Sequence, residues 1–156
     1  MFIISTELVE KVEIDKLLDF MLRDNDIRPN CMVFLSRGKA SDTLVSSQPD
    51  EVPAFHIRDM VSNRARNNRI MKGVNFTNLD QYINTNQSFV LQTISSYEGE
   101  VEFTGAGIIK GKTGKWIGNL NQDDVSSISW IKGEADGGFI SALISDEKTV
   151  VYEIKQ

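Results

Sequence analysis

The sequence predicts an α+β protein: a mixed helix-and-strand first part, followed by a small, mostly antiparallel sheet with a packed helix. Three observations lead there. Apolar residues recur at helical spacing at Ile14, Leu17, Leu18, Met21 and Leu22, while Asp15, Lys16, Asp19 and Arg23 fill the other side. The second half carries short apolar runs rich in β-branched and aromatic residues, at 89–91, 101–103, 139–144 and 149–154. Glycines from Gly105 to Gly118 punctuate that half at turn spacing.

The elements follow in order. Residues 2–4 are a short apolar strand, and Thr6 is placed to cap a first helix with Glu10 in its early turns. The helix with the apolar stripe ends before Pro29, which disfavours helical backbone at the residue preceding it. Residues 32–35 form a buried-strand candidate stopped by Gly38, 40–45 a short helix, and Gln48, Pro49 and Asp50 a loop. Pro53 suits the first turn of a helix reaching about Asn67, with Phe55, Ile57, Met60 and Val61 as its apolar side. Thr77 is placed to cap a helix over 79–83. Two strands then flank Glu98 and Gly99, and two more flank a turn from Gly111 to Gly114. Asn121 caps the next helix, where Asp123 and Asp124 complement the positive end of the helix dipole. Val125, Ile128 and Ile131 are its expected inner face, with Trp130 and Trp116 as core residues. The last two strands turn at Asp146, Glu147 and Lys148. The halves meet near 75–88, which divides the chain into 1–80 and 81–156.

Composition narrows the function classes. A chain of 156 residues, 40% hydrophobic and 25% charged, can build a core and is not of disordered composition. Its net charge of −5 argues against nucleic acid, which needs a basic footprint. The one cysteine, Cys31, has no partner for an intrachain disulfide and reads as a small buried hydrophobe. No apolar run approaches the roughly 20 residues of a membrane-spanning helix.

Catalytic and cofactor chemistry finds little purchase. One histidine, His56, and one cysteine 25 positions away do not make a zinc site, so no metal and no cofactor is expected. The glycine-rich stretch lacks the Lys-Ser/Thr that opens a phosphate-loop helix, and Asp123 and Asp124 would repel a phosphate there. Those two acids read as helix-start residues, not as a hydrolytic pair. Two basic segments stand out as candidate partner surfaces. One is Arg58, Arg66 and Arg69, expected to share a helix side. The other is Lys110, Lys112 and Lys115 in a turn expected to project into solvent. Either can attract an acidic partner or an anionic membrane surface. No aromatic residues interleave with the arginines, which weakens RNA binding further.

Three segments carry a family resemblance. The stretch from Gly105 to Leu120 with its following helix has Gly105, Lys110, Lys115, Gly118, Leu120, Trp130 and Ile131 at matching positions. Residues 17–29, LLDFMLRDNDIRP, and 34–44, FLSRGKASDTL, match two earlier segments in the same order. Together they resemble the Ger(x)C family, the spore germination C-subunit lipoproteins of germinant receptors. Asn119 stands where that family usually has Trp, and Ser127 replaces its helix glycine. The resemblance implies a non-catalytic receptor subunit, partnered with the membrane-embedded subunits A and B. It also implies a place on the outer face of the spore inner membrane, held by a lipid anchor. Cys31 is not that anchor, because Arg28, Pro29 and Asn30 precede it instead of an apolar signal region. The chain then corresponds to a middle fragment of such a protein, acting as an interaction scaffold. A module that binds a small-molecule germinant directly is the other expectation.

Overall fold

The fold is seen in a computed structural model that describes residues 1–24, 26–45, 52–145 and 148–155. A five-stranded mixed sheet organises it, built from β1 (Phe2–Ser5), β2 (Val33–Ser36), β3 (Phe89–Tyr97), β4 (Glu100–Lys110) and β5 (Lys115–Leu120), adjacent in that order. β1, β2 and β3 run parallel, and β3, β4 and β5 antiparallel. The change of direction has a local cause. Glu98 and Gly99 adopt positive φ, of 52° and 81°, in the two-residue turn from β3 to β4, the backbone a tight hairpin requires. The parallel strands need long crossovers instead. The first contains α1 (Thr6–Val9) and α2 (Ile14–Arg23), the second α3 (Pro53–Ser62) and α4 (Phe76–Asn84).

Both faces of this sheet are covered. On one face Val9, Ile14 and Leu18 from α1 and α2, with Phe76 and Leu79 from α4, pack on Val33, Leu35, Phe89, Leu91 and Ile109. On the other, Ile57 and Val61 of α3 and Ile70 pack on Phe34, Ile94, Val101 and Phe103. The run from Val33 to Leu35 is apolar without alternation because β2 is buried on both sides. α5 (Gln122–Ile131) lies over a third cluster, where Val125 meets Met71 and Ala106.

One irregularity sets which β4 side chains face where. Thr93 pairs with Gly105 and Ile94 with Phe103, so Thr104 is an extra residue in β4. The bulge resets the alternation, which lets Phe103 and Ile109 serve opposite cores despite their equal parity. Gly105 has φ of +135°, and a Cβ there would stand 2.1 Å from the Leu120 carbonyl oxygen, so glycine is required.

A separate two-stranded sheet, β6 (Gly137–Ser145) with β7 (Lys148–Lys155), ends the described chain. The expected boundary between 80 and 81 falls inside α4, and the five-stranded sheet takes β1 and β2 from before it and β3, β4 and β5 from after it.

Several expected details are corrected. Ser5, not Thr6, occupies the N-cap of α1. Asn75, not Thr77, caps α4, with Asn75 and Asn78 exchanging side-chain-to-backbone bonds of 3.0 and 3.2 Å; the amide of Asn78 does what Glu does in the usual capping box. α3 stops at Ser62, and Arg64–Arg66 is a separate 3-10 turn. Ser62 Oγ donates to the Arg58 carbonyl and Asn63 Nδ2 to the Asp59 carbonyl, both at 2.9 Å, and such side-chain bonds compete with continued helix. Residues 40–44 form a 3-10 helix. The loop at Gln48, Pro49 and Asp50, and Asp146 and Glu147 of the last turn, lie outside the described residues. Asn121 caps α5 as expected, receiving the Asp123 and Asp124 amides at 2.8 and 2.9 Å.

Candidate docking surface

The two basic segments meet different fates. Arg58, Arg66 and Arg69 do not share a helix, because α3 ends before Arg66. Arg58 bonds its neighbour Asp59 at 3.1 Å and lies over the Phe55 ring, 4.9 Å from its centroid. Arg69 pairs with Asp123 at 2.9 Å, reaching across to the first turn of α5. Arg66 is exposed. Arg66 and Arg69 line one open groove of about 1020 Å³, walled also by Trp130 of α5 and by Phe139 and Ile140 of β6. Arg58 lies outside it.

The backbone beneath this groove is set by a residue that the sequence reading passed over. Gln92 is buried in β3, and its Oε1 accepts from the Met71 amide at 2.6 Å. Its Nε2 donates to the Gly105 carbonyl at 2.9 Å and to the Arg69 carbonyl at 3.3 Å. One side-chain amide thereby ties the Arg69–Met71 segment to the β4 bulge. The available signal was an amide side chain set directly after the apolar run Phe89-Val90-Leu91 and before Thr93 and Ile94. The neighbouring Arg64 is also committed: it pairs with Asp136 and donates to the Glu134 carbonyl at 2.6 Å, holding the base of β6.

The α5 side of the groove departs from its expected face. Val125 and Ser129 are buried, Ile128 and Trp130 are half-buried, and Ile131 is 85% exposed. The helix meets the sheet through an i, i+4 pair, which turns Ile131 away. Trp130 is therefore a groove wall, not a fully buried core residue, although its Nε1 is shielded and unpaired. Trp116 is also half-buried and packs at the edge of the α2 core, and Cys31 is half-buried against the same core.

The lysine turn is held more firmly than expected of a projecting loop. The Gly114 amide bonds the Lys110 carbonyl at 2.8 Å, and the Gly114 carbonyl accepts from the Ile14 amide at 2.8 Å. On the other side the Gly111 amide donates to Ser88 Oγ at 3.2 Å. A Cβ on Gly111 would stand 2.3 Å from the Asn86 carbonyl oxygen, and one on Gly114 2.6 Å from an Asp15 carboxylate oxygen. The turn is thus wedged between the start of α2 and the α4–β3 connection. Lys110 and Lys115 face each other across the strand pair and are exposed, as is Lys112. Lys115 stands 3.9 Å from Glu13, whose tighter partner is Lys16. The Lys16 ammonium, by hydrogen bond and by charge, holds the Glu13 carboxyl below its ordinary range, and Glu13 in turn raises Lys16.

The described residues contain no group of three His, Cys, Asp or Glu placed to hold a metal ion. No described helix is long and apolar enough to cross a membrane, which says nothing of a β-barrel.

A mixed sheet layered on both faces, with a capped helix returning over its antiparallel end and a trailing ribbon, defines an α+β module. A crystal structure of the GerBC protein has the same fold, with a TM-score of 0.76 and 23% identity, over 99% of this chain and 43% of that one. Residues 1–96 match the family model described as the spore germination protein N-terminal domain. The chain belongs to that spore germination family, and the Ger(x)C resemblance stands. Spore germination protein YndF of Bacillus subtilis (strain 168) is 32% identical over 99% of this chain and 38% of the relative. Spore germination protein B3 of the same organism is 24% identical over 99% of this chain and 42% of the relative. The chain therefore spans well under half the length of these curated relatives.

Proposed function

We propose that the chain is part of a non-catalytic germinant-receptor subunit that works in nutrient-triggered germination as a protein-interaction scaffold. Its partners are then the membrane-embedded receptor subunits A and B, at the outer face of the spore inner membrane. Docking uses the lysine turn, and the anionic membrane surface is a second contact. One observation carries the choice of surface. Lys110, Lys112 and Lys115 are exposed on a turn whose own backbone is bonded on both sides, so three ammonium groups are presented without ordering a mobile loop on binding. Arg58 and Arg69 are already engaged with Asp59 and Asp123. With Arg66 they are the secondary surface.

Near an anionic membrane each lysine contributes about 1 kcal/mol, screened by salt. Replacing Lys110, Lys112 and Lys115 with Ser should leave the fold intact. It should reduce, at low ionic strength, binding both to the A and B subunits and to vesicles containing phosphatidylglycerol. Replacing Arg58, Arg66 and Arg69 is the parallel arm and should have the smaller effect. Undiminished binding in both triple variants at low salt would remove these surfaces from docking.

The groove favours a second reading. A volume of about 1020 Å³ with Arg66, Arg69 and Trp130 on its walls has room for a small molecule. Direct germinant binding there would give a calorimetric signal with the chain alone, lost in Trp130→Ala. The scaffold reading expects no such signal.

A further inference from the structure

A crevice of about 160 Å³ adjoins the lysine turn. Its walls are the segment 71–74, Asn78 and Tyr82 of α4, the start of β3 with the two residues before it, and Lys132 and Glu134 at the end of α5. The link to the turn is direct. Gln87 and Ser88 line the crevice, and Gly111 of the turn rests on both. Its amide donates to Ser88 Oγ at 3.2 Å, and a Cβ on it would stand 2.3 Å from the Gln87 carbonyl carbon. Ile109 pairs with Phe89, which brings Lys110 level with Ser88.

Positive charge and hydrogen-bond donors converge there. Lys72 on the wall, and Lys110 and Lys112 on the turn, have no carboxylate partner among the described residues. Lys132 is offset by Glu134 at 3.3 Å, so the surplus is that of the other three. Ser88 Oγ accepts the Gly111 amide and keeps its own proton to donate. Stacking on Phe89, with 5.2 Å between centroids, fixes the Tyr82 ring at the crevice wall. Lysine ammonium groups and hydroxyl donors around a small space suit a phosphate group. Drug-sized ligands need roughly 300 Å³ or more, so this crevice takes a phosphate with a short ester arm and little else.

We propose that this crevice seats the phosphodiester of an anionic phospholipid head group when the lysine turn meets a membrane. The inference rests on the reading of that turn as a docking surface. The source is a membrane and not free phosphate, because the surplus charge extends beyond the crevice. Lys110 and Lys112 are exposed on a rigid turn beside it. A planar anionic surface meets them together with Lys72, whereas a single ion in the crevice leaves them unused. Diffuse attraction to such a surface depends on its charge alone. A seated phosphodiester adds a dependence on head-group chemistry.

Vesicles of equal surface charge separate the two dependences. One set is phosphatidylcholine with phosphatidylglycerol, the other phosphatidylcholine with the carboxylate amphiphile cholesteryl hemisuccinate. At low ionic strength the 156-residue chain should bind the first about tenfold more tightly. Lys72→Ser with Lys132→Ser should remove that preference. Lys110→Ser with Lys112→Ser should weaken binding to both sets and keep the preference. All four lysines are exposed, so both double variants should melt as the parent does. In NMR spectra the Ser88 and Gly111 amides should shift with short-chain phosphatidylglycerol and much less with inorganic phosphate at the same concentration. Equal binding to the two vesicle sets overturns the proposal, as does a preference that survives in the Lys72 and Lys132 variant. Shifts as large with inorganic phosphate as with the lipid make the occupant a free ion and overturn the membrane source. Undiminished binding in the Lys110 and Lys112 variant, with the preference intact, sinks the docking reading of the turn and leaves the crevice standing. Binding to neither vesicle set overturns both.

Discussion

The β3–β4 hairpin and the β6–β7 ribbon use similar residues and lengths. β3 and β4 have nine and eleven residues, β6 and β7 nine and eight, and both pairs are antiparallel. Leu91 and Ile94 are fully buried in the first, whereas Leu143 and Ile144 are 70% and 63% exposed in the second. Pairing is common to both, so pairing does not make the difference. α2 and α4 cover one side of the first hairpin and α3 and α5 the other, while among the described residues neither layer extends over the ribbon. Burial by layers converts strand-forming sequence into stability.

Substitutions can break or sharpen that contrast. The largest loss is expected at Phe34, which is 1% exposed and packs with Phe103 at 6.2 Å between ring centroids. Phe34→Ala should cost about 3–5 kcal/mol in denaturant unfolding. A value under about 1 kcal/mol would place the main core elsewhere.

Gln92→Ala comes next. It leaves the Met71 amide and the Gly105 carbonyl without their present partner, beneath a segment that carries Arg69. A loss of about 2–3 kcal/mol is expected. Because Gln92 links β3 to both the bulge and the groove, the Arg69–Met71 amides should also exchange faster, which a pure core defect would not single out.

Trp130→Ala tests a residue between the two regimes. From its spacing on the helix a full core role is expected, but half-burial on the groove wall reduces the loss to about 1–2 kcal/mol. Leu143→Ala in the ribbon should stay within about 0.5 kcal/mol in the same chain. A larger loss at Leu143 than at Trp130 would mean that the ribbon already carries stabilising contacts.

What could be read from the sequence follows the same division. The α2 stripe, the apolar β2 run, the Gly111 to Gly114 turn and the Asn121 cap are local patterns, and each forms as its pattern predicts. The fate of each arginine was not local. Arg69 finds Asp123 54 residues away and Arg64 finds Glu134 70 residues away, pairings set by the fold and not by spacing. Helix phase failed at Ile131 because Val125, Ile128 and Ile131 share a stripe, yet α5 seats on Val125 and Ser129. A polar residue at the buried position cannot be distinguished by hydrophobic periodicity. The lysine turn was recognised as a turn, but its wedging between α2 and the α4–β3 connection depends on two glycines meeting Asn86 and Asp15.

The smallest effect is expected at the edge of that turn, where Glu13 pairs with Lys16 and faces Lys115. Lys16 lowers the Glu13 carboxyl by hydrogen bond first and charge second, and Glu13 raises the Lys16 ammonium in the same order. A carboxyl lowered on folding stabilises the native state above its unfolded value, and that contribution is lost as pH falls through the folded value. A raised ammonium contributes below its unfolded value and loses the contribution as pH rises through the folded one. The pair is therefore complete at neutral pH and weakens towards acid and towards strong base. Glu13→Gln should flatten stability against pH at both ends by a small amount, and 1 M salt should erase the difference from the parent chain. A neutral-pH gap between parent and variant that persists in 1 M salt would instead assign Glu13 a packing or hydrogen-bonding role against the turn. The lysine surface would then depend on Glu13 for its position as well as for its charge balance.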